Sequence, residues 1–287
     1  MRRYNLGAHT KMETLVYIHD QFIDGTKAHV SALDLSVLRG FGVMDYLRTY
    51  GGRPFRLREH LERLIFSAEE IGLNVPKRIE EMEAIIEVLL RKVSFEETSV
   101  KVVLTGGVSE DQLIPEGEPV FFAVAYPFKP FPDIYFEEGI KIMTECYQRP
   151  FPKAKSIQYL PAIVALKKGE KKGAVDVLFH NEQGFLLETG TANFFALKEG
   201  KFITPKKGIL EGITRKVVLE LEDVEQRPIH KSEIKSFDGV FLTSSNKEIM
   251  PVIQIDNHVI NNCVISLMIQ DLMKRFANHT KPPELFS

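Results

Sequence analysis

Apolar positions along this chain follow two rhythms, a period of two and a period near 3.6, and each change of rhythm marks a change of element. The alternation over residues 15–18 and 21–23, with His19-Asp20 between, predicts a small hairpin. Residues 1–13 carry neither rhythm and are expected to be a loose extension. A loop at Leu38-Arg39-Gly40-Phe41-Gly42 then enters an extended stretch that turns at Gly51-Gly52. From there the spacing is helical: Leu61, Leu64, Ile65, Ala68 and Ile71 share one face, and Ile79, Met82, Ile85, Ile86, Leu89 and Leu90 share a second. Strand-like runs return at 99–104 and 120–126, joined by a loop that begins Thr105-Gly106-Gly107. Helices packed on a sheet are the arrangement this order implies.

Pro127-Phe128-Lys129-Pro130-Phe131-Pro132-Asp133 interrupts both rhythms and is expected to link two domains. Beyond it the spacing predicts a helix over 160–172 and a hairpin of 175–180 with 184–188 across Asn181-Glu182-Gln183-Gly184. A second hairpin pairs 193–197 with 201–205 around Lys198-Glu199-Gly200. A helix over 214–221, a strand at 239–243 and an amphipathic helix over 264–277 complete the chain. The division expected is a small N-terminal domain over 1–126, a linker over 127–133 and a larger C-terminal domain over 134–287.

Composition changes this picture little. The 287 residues are long enough for two domains with real cores, and 44% are hydrophobic. With 37 basic against 39 acidic residues, the net charge of -2 gives no electrostatic case for nucleic acid. Any anion site must therefore be local. Cys146 and Cys263 match no metal or disulfide spacing and are read as reduced, which suits the cytoplasm. Met1-Arg2-Arg3 is basic, but no apolar stretch of signal-peptide type follows, and no run approaches the roughly 20 apolar residues of a membrane helix.

Three features between residues 155 and 215 carry chemistry. Lys155 supplies an amine, although in a basic segment a lysine is more often a solvated charge. Glu188 closes the apolar run Gly184-Phe185-Leu186-Leu187-Glu188, where a carboxylate either ends a strand or serves a site. Gly212-Ile213-Thr214-Arg215 opens a helix, and a helix start offers backbone N–H groups to an anion. The ordinary alternative there is a glycine-capped helix. In this order the three supply what pyridoxal phosphate requires: an amine for an imine, an acid for a ring nitrogen, and a phosphate cradle.

The segment resembles the class IV aminotransferases, the fold type IV pyridoxal phosphate enzymes that include branched-chain amino acid aminotransferases, D-amino acid aminotransferases and aminodeoxychorismate lyases. The resemblance runs from about Tyr17 onward. Lys155-Ser156-Ile157-Gln158-Tyr159-Leu160 is similar to the family's stretch around the cofactor-bearing lysine, and Glu188-Thr189-Gly190-Thr191-Ala192-Asn193 to its E-G-x-x-x-N. G-I-T-R stands unaltered at 212–215, and His60-Leu61-Glu62-Arg63-Leu64 matches its H-x-x-R-L. Thr243-Ser244-Ser245-Asn246-Lys247-Glu248-Ile249-Met250-Pro251-Val252 looks like its further phosphate-side loop, with Asn246-Lys247 in place of the usual T-A or T-S.

This resemblance implies an α+β two-domain fold of the D-amino acid aminotransferase type, with a small α/β N-terminal domain and a larger mixed-sheet C-terminal domain. It implies pyridoxal 5'-phosphate as cofactor and Lys155 and Glu188 as catalytic residues. Arg63, Tyr159, Ile213, Thr214, Ser244 and Ser245 complete the implied cofactor set. Arg39, in an L-R-G-F-G stretch, is similar to an arginine that reaches across a dimer to the substrate carboxylate in less typical D-amino acid transaminases. Lys101 falls where such enzymes carry a second arginine. The S-P-R-A-H loop of the best-known D-amino acid enzymes is replaced here by Val108-Ser109-Glu110-Asp111-Gln112-Leu113, and the Y-x-R of branched-chain members by Ser99-Val100-Lys101. The expected function is transfer of an amino group between an amino acid, of branched-chain or D type, and a 2-oxo acid, in a homodimer. An aminodeoxychorismate lyase, which expels pyruvate, and a non-catalytic phosphate-ligand or interaction protein remain as alternatives.

Overall fold

The hairpin expected near the start is present as β1 (Leu15–Ile18) and β2 (Gln21–Asp24) in the computed structural model, which describes residues 14–281. The extension expected over 1–13 lies outside the described residues. Helix α1 (Leu35–Arg39) starts at Asp34, whose side chain accepts from Ser36 N, and stops at Gly40, where φ of 65° suits a residue without Cβ. It delivers the chain into β3 (Gly42–Tyr50), whose burial alternates as a strand with two different faces should. Then come β4 (Arg53–Pro54), α2 (Leu57–Glu70), α3 (Ile79–Arg91), β5 (Thr98–Thr105) and β6 (Phe121–Pro127). The six strands pair antiparallel in the order β2-β1-β6-β5-β3-β4.

The expected helix faces are the ones buried. Leu61, Leu64 and Ala68 of α2 and Met82, Ile86 and Leu89 of α3 pack on Val43, Leu47, Val100 and Val102 of the sheet. Each of the leucine, isoleucine, methionine and valine side chains among them contributes about 1.5–3 kcal/mol of burial. The opposite face of β3, which carries Met44 and Tyr46, is left for a cavity.

After the proline-bearing segment come α4 (Ile134–Glu137), β7 (Ile140–Cys146), α5 (Leu160–Glu170), β8 (Asp176–His180), β9 (Leu186–Thr189), β10 (Asn193–Lys198), β11 (Lys201–Thr204), α6 (Ile213–Leu221) and β12 (Val224–Gln226). Strands β13 (Gly239–Ser244), β14 (Glu248–Ile255) and β15 (His258–Val259) and helix α7 (Leu267–Thr280) follow. Their nine-stranded mixed sheet runs β12-β11-β10-β13-β14-β7-β8-β9, with β15 on β14. One further pairing, Glu188 of β9 with Asn193 of β10, closes six of these strands into a ring. Phe194, Ala196, Leu242, Met250, Ile142 and Leu178 form its main core. The other faces of the same strands are covered by α6 and α7 over Phe195 and Phe241, and by α5 over Met143, Val177 and Phe179. The helix expected at 264–277 begins only at Leu267, because 261–263 form a short turn in which Asn262 has φ of 54°. Among the described residues no helix is long and apolar enough to cross a membrane.

Candidate active site

Lys155 lies in a segment without regular structure, yet its backbone is fixed on three sides. Met44 N of β3 donates to the Lys155 carbonyl at 2.9 Å, Ile157 N donates to the Gly42 carbonyl at 3.1 Å, and Lys155 N donates to Ser67 Oγ of α2 at 3.0 Å. The amine is thereby carried on the first sheet, facing the second. Lys155 Nζ donates to Tyr159 Oη at 3.3 Å. That cation beside the phenol holds Tyr159 below the ordinary tyrosine range, against the opposing pull of burial.

Glu188, 7% exposed, faces the same space from β9. Its Oε1 accepts from Arg149 Nε at 3.1 Å and Nη2 at 2.6 Å, and its Oε2 accepts from Leu210 N at 3.0 Å and Asn193 Nδ2 at 3.4 Å. Arg149 also donates to the carbonyls of Ala154 at 2.8 Å and Pro152 at 2.5 Å, so one guanidinium ties the acid to the segment that ends at Lys155. The sequence reading missed Arg149. Its only signal is a lone cation before prolines, in Gln148-Arg149-Pro150, where no periodicity assigns a direction.

At the other end of the cavity, helix α6 opens at Gly212 with no side-chain cap, and Gly212, Ile213 and Thr214 all line the space. Unsatisfied N–H groups at a helix start attract an anion. A Cβ at Gly212 would come within 2.1 Å of Asn193 Oδ1, so this approach of backbone to side chain requires glycine.

Arg63 completes this end. Its Nε and Nη2 each donate to Asp45 at 2.8 Å and its Nη1 donates to the Glu211 carbonyl at 3.1 Å, which leaves two of its five N–H groups for an anion. Asp45 is fully buried. Burial alone would raise its carboxyl, but the Arg63 guanidinium and then His60 hold it well below the usual range. His60 Nδ1 lies 2.7 Å from Asp45 Oδ1, and since a carboxylate only accepts, this nitrogen carries a proton. Burial pushes His60 below its ordinary 6.5, so the ring is neutral near pH 7.

A pH dependence follows. Below about pH 6.5 the unfolded histidine takes up a proton that folded His60 refuses, so stability falls as pH drops from that value. The Asp45 contribution is present above its unfolded value of 3.8 and is lost only as pH falls below it. His60→Gln, which keeps a donor for Asp45, is expected to flatten the decline of urea stability between pH 7 and 5. An unchanged slope would mean that His60 is already charged in the fold.

The cavity, about 330 Å³, brings together Lys155, Tyr159, Glu188, Arg63, Ile213, Thr214, Ser244, Ser245 and Lys101. Ser244 Oγ donates to Asn246 Oδ1 at 2.8 Å, and Ser245 Oγ to the Tyr46 carbonyl at 3.4 Å. Opposite Glu188 the wall is the first sheet, where Lys101 sits across from Tyr46 and Val124 in register, with Tyr126, the partner of Ser99, two residues along on the same lining. Burial pushes the Tyr126 phenol up to about 12 and raises Tyr46 as well. Arg39 is not part of this cavity: it ends α1 at the surface, with Nη1 on the Leu38 carbonyl at 3.0 Å.

These residues suit a flat, phosphorylated ring. An uncapped helix start and two N–H groups of Arg63 face one end, an amine and an acid the other. The Thr243 hydroxyl on the lining is buried without a partner among the described residues, as a group awaiting a ligand or water would be.

Residues 42–255 match the family model for amino-transferase class IV, and the chain belongs to that family. It is an aminotransferase, of a class that works with pyridoxal phosphate. The putative branched-chain-amino-acid aminotransferase of Methanocaldococcus jannaschii is 32% identical, over 92% of this chain and 95% of that protein. A D-alanine aminotransferase of Staphylococcus epidermidis is 28% identical over 93% and 98%. In structure the chain is similar to the branched-chain aminotransferase of the thermophilic archaeon Thermoproteus uzoniensis with norvaline, with TM-score 0.86 and 27% identity over 93% of this chain and 94% of the other.

Proposed function

We propose that pyridoxal 5'-phosphate binds in the cavity between the two sheets, that Lys155 and Glu188 are the catalytic residues there, and that the amino donor is an apolar amino acid of branched-chain or D type. One observation supports this above the others: Lys155, Glu188 and the uncapped start of α6 line the same space. When bound, the cofactor supplies the electron sink for a proton leaving the substrate Cα.

The chain does the rest. Lys155 Nζ takes that proton and returns it at C4′, acting as base and then as acid. Glu188, held by Arg149, Leu210 N and Asn193, would keep a proton on the ring nitrogen. Arg149 keeps the Glu188 carboxylate aimed and charge-compensated. Tyr159 donates to the phenolic oxygen, while Arg63, Ile213, Thr214, Ser244 and Ser245 hold the phosphate. Lys101, between Tyr46 and Tyr126, binds the substrate carboxylate as a point charge.

Arg39, exposed and outside the cavity of its own chain, serves the site of a second copy, which makes the working form a homodimer. A reduced cytoplasmic setting suits Cys146 and Cys263, both exposed and unpaired. The test is a panel of L- and D-amino acids that follows bleaching of the cofactor absorbance, with 2-oxo acid dependence separating transfer from elimination. In the same assay Arg39→Ala is expected to raise the KM of the amino donor about 10-fold or more, the worth of a hydrogen bond to a charged group. An unchanged KM would remove Arg39 from the site.

A further inference from the structure

Behind the cavity wall sits a lysine that the reaction as described does not use. Lys247 is 4% exposed, a position where lysine is seldom found without a partner. Its ammonium meets Asp176 Oδ2 at 3.1 Å and Thr191 Oγ1 at 2.6 Å, and it lies 5.4 Å from the centre of the Phe131 ring. Asp176, 1% exposed, also accepts from Thr189 Oγ1 at 3.0 Å and from Val177 N at 2.8 Å. Thr189 Oγ1 in turn accepts from Ala192 N at 2.9 Å, which fixes the turn carrying Thr191. The wall therefore has a defined shape at Thr191, which lines the cavity.

The direction of the hydrogen bonds matters more than their number. An ammonium has three donors and no acceptor, so Thr191 Oγ1 must accept from Lys247. Among the described residues no hydrogen bond places the Thr191 hydroxyl hydrogen on a protein acceptor, so it is available to a ligand. With one lone pair of its oxygen taken by Lys247, the exposed Thr191 hydroxyl keeps its hydrogen to donate from the cavity lining. Under the reading above the other acceptors have partners: the ring nitrogen has Glu188, the phenolic oxygen Tyr159, the phosphate Arg63, α6 and the serines. The substrate carboxylate has two oxygens and one assigned cation within the chain, Lys101.

We infer that Thr191 donates a hydrogen bond to the carboxylate of the substrate and that Lys247 is the positioning residue that sets it as a donor. This rests on the proposal that an amino acid meets the cofactor in this cavity. It gives Asn246-Lys247, the departure from the small polar pair, a role in substrate selection: the chain recognises carboxylate-bearing amines through a charge-oriented hydroxyl.

The test uses holoenzyme and two probes with the same side chain, norvaline in both enantiomers and its decarboxylated counterpart butylamine, with half-reaction spectra as readout. Thr191→Val is expected to raise the apparent dissociation constant of norvaline about 10-fold and leave that of butylamine unchanged; Thr191→Ser restores it. Lys247→Met produces the same selective rise, and the double variant Thr191→Val/Lys247→Met adds nothing further. Should Lys247→Met fail to fold because Asp176 is stranded, the valine and serine variants carry the test. Equal loss for both probes, or no loss for either, overturns the inference. So does weaker cofactor binding in Thr191→Val, measured by dialysis and absorbance, because it would place the hydroxyl on the cofactor. A wild-type holoenzyme that holds the cofactor and responds to no amino acid instead overturns the proposed function, a distinct result.

Discussion

Lys155→Ala is expected to lower kcat on the order of 10⁴-fold, the upper range for a positioned acid-base group, and to remove the visible absorbance of covalently held cofactor. The variant should fold, because every contact that fixes residue 155 uses its main chain: Met44 N on its carbonyl and its own N–H on Ser67 Oγ. Among the described residues, the side-chain hydrogen bond lost is the one to the Tyr159 hydroxyl. Loss of turnover without loss of melting temperature would therefore report chemistry. A small primary amine added to the variant is expected to restore part of the proton transfer. Undiminished turnover together with the covalent absorbance would end the assignment of Lys155.

Glu188→Gln is expected to lower kcat about 10²- to 10³-fold, as for removal of one preorganised electrostatic partner, with little change in KM. Glutamine keeps the length and one carbonyl oxygen for Arg149, which also retains the carbonyls of Ala154 and Pro152. The change is thus one of charge. Under the proposed reading, that charge is what keeps the ring nitrogen protonated, so its loss would weaken the electron sink. Steady-state kinetics decide: a fall in kcat/KM through KM alone would make Glu188 a binding residue only.

Strands β3 and β6 and the two helices of the first half were legible in the sequence because each has a more buried and a less buried face, which produces a clean period, whereas β5 is buried almost throughout and reads only as an apolar run. The ring of the second half was harder to read. β7 alternates weakly, since Ile142 and Met143 are buried on opposite faces, and β14 carries Pro251 within an otherwise apolar run. Strands covered on both sides lose the alternation on which a period-two reading depends.

At the site, Lys155, Glu188 and the helix start were recognisable because their chemistry is tied to local motifs. Arg149 and Asp45 were not. Arg149 acts through a fold in the chain that brings residue 149 to residue 188, and Asp45 looks like one polar residue in a strand until α2 places His60 and Arg63 against it. Asn246-Lys247 stands out in the sequence as a departure from the usual T-A or T-S pair, but the partner of Lys247, Asp176, is 71 positions away and no spacing links them.

The stitching of residues 155–157 onto β3 has a further consequence. Lys155 and Arg63 ride with the sheet that carries Tyr46, Lys101 and Tyr126, whereas Glu188, Thr191 and the start of α6 ride with the ring. Under the proposed reading, contacts to the cofactor and contacts to the substrate are each divided between the two sheets, so the site is complete only when both sheets are in place. That division sets a tolerance: a slide of one sheet past the other by an ångström would part Lys155 from Glu188 and the start of α6, so under the proposed reading substrate range in this chain is selected under a fixed mechanical register.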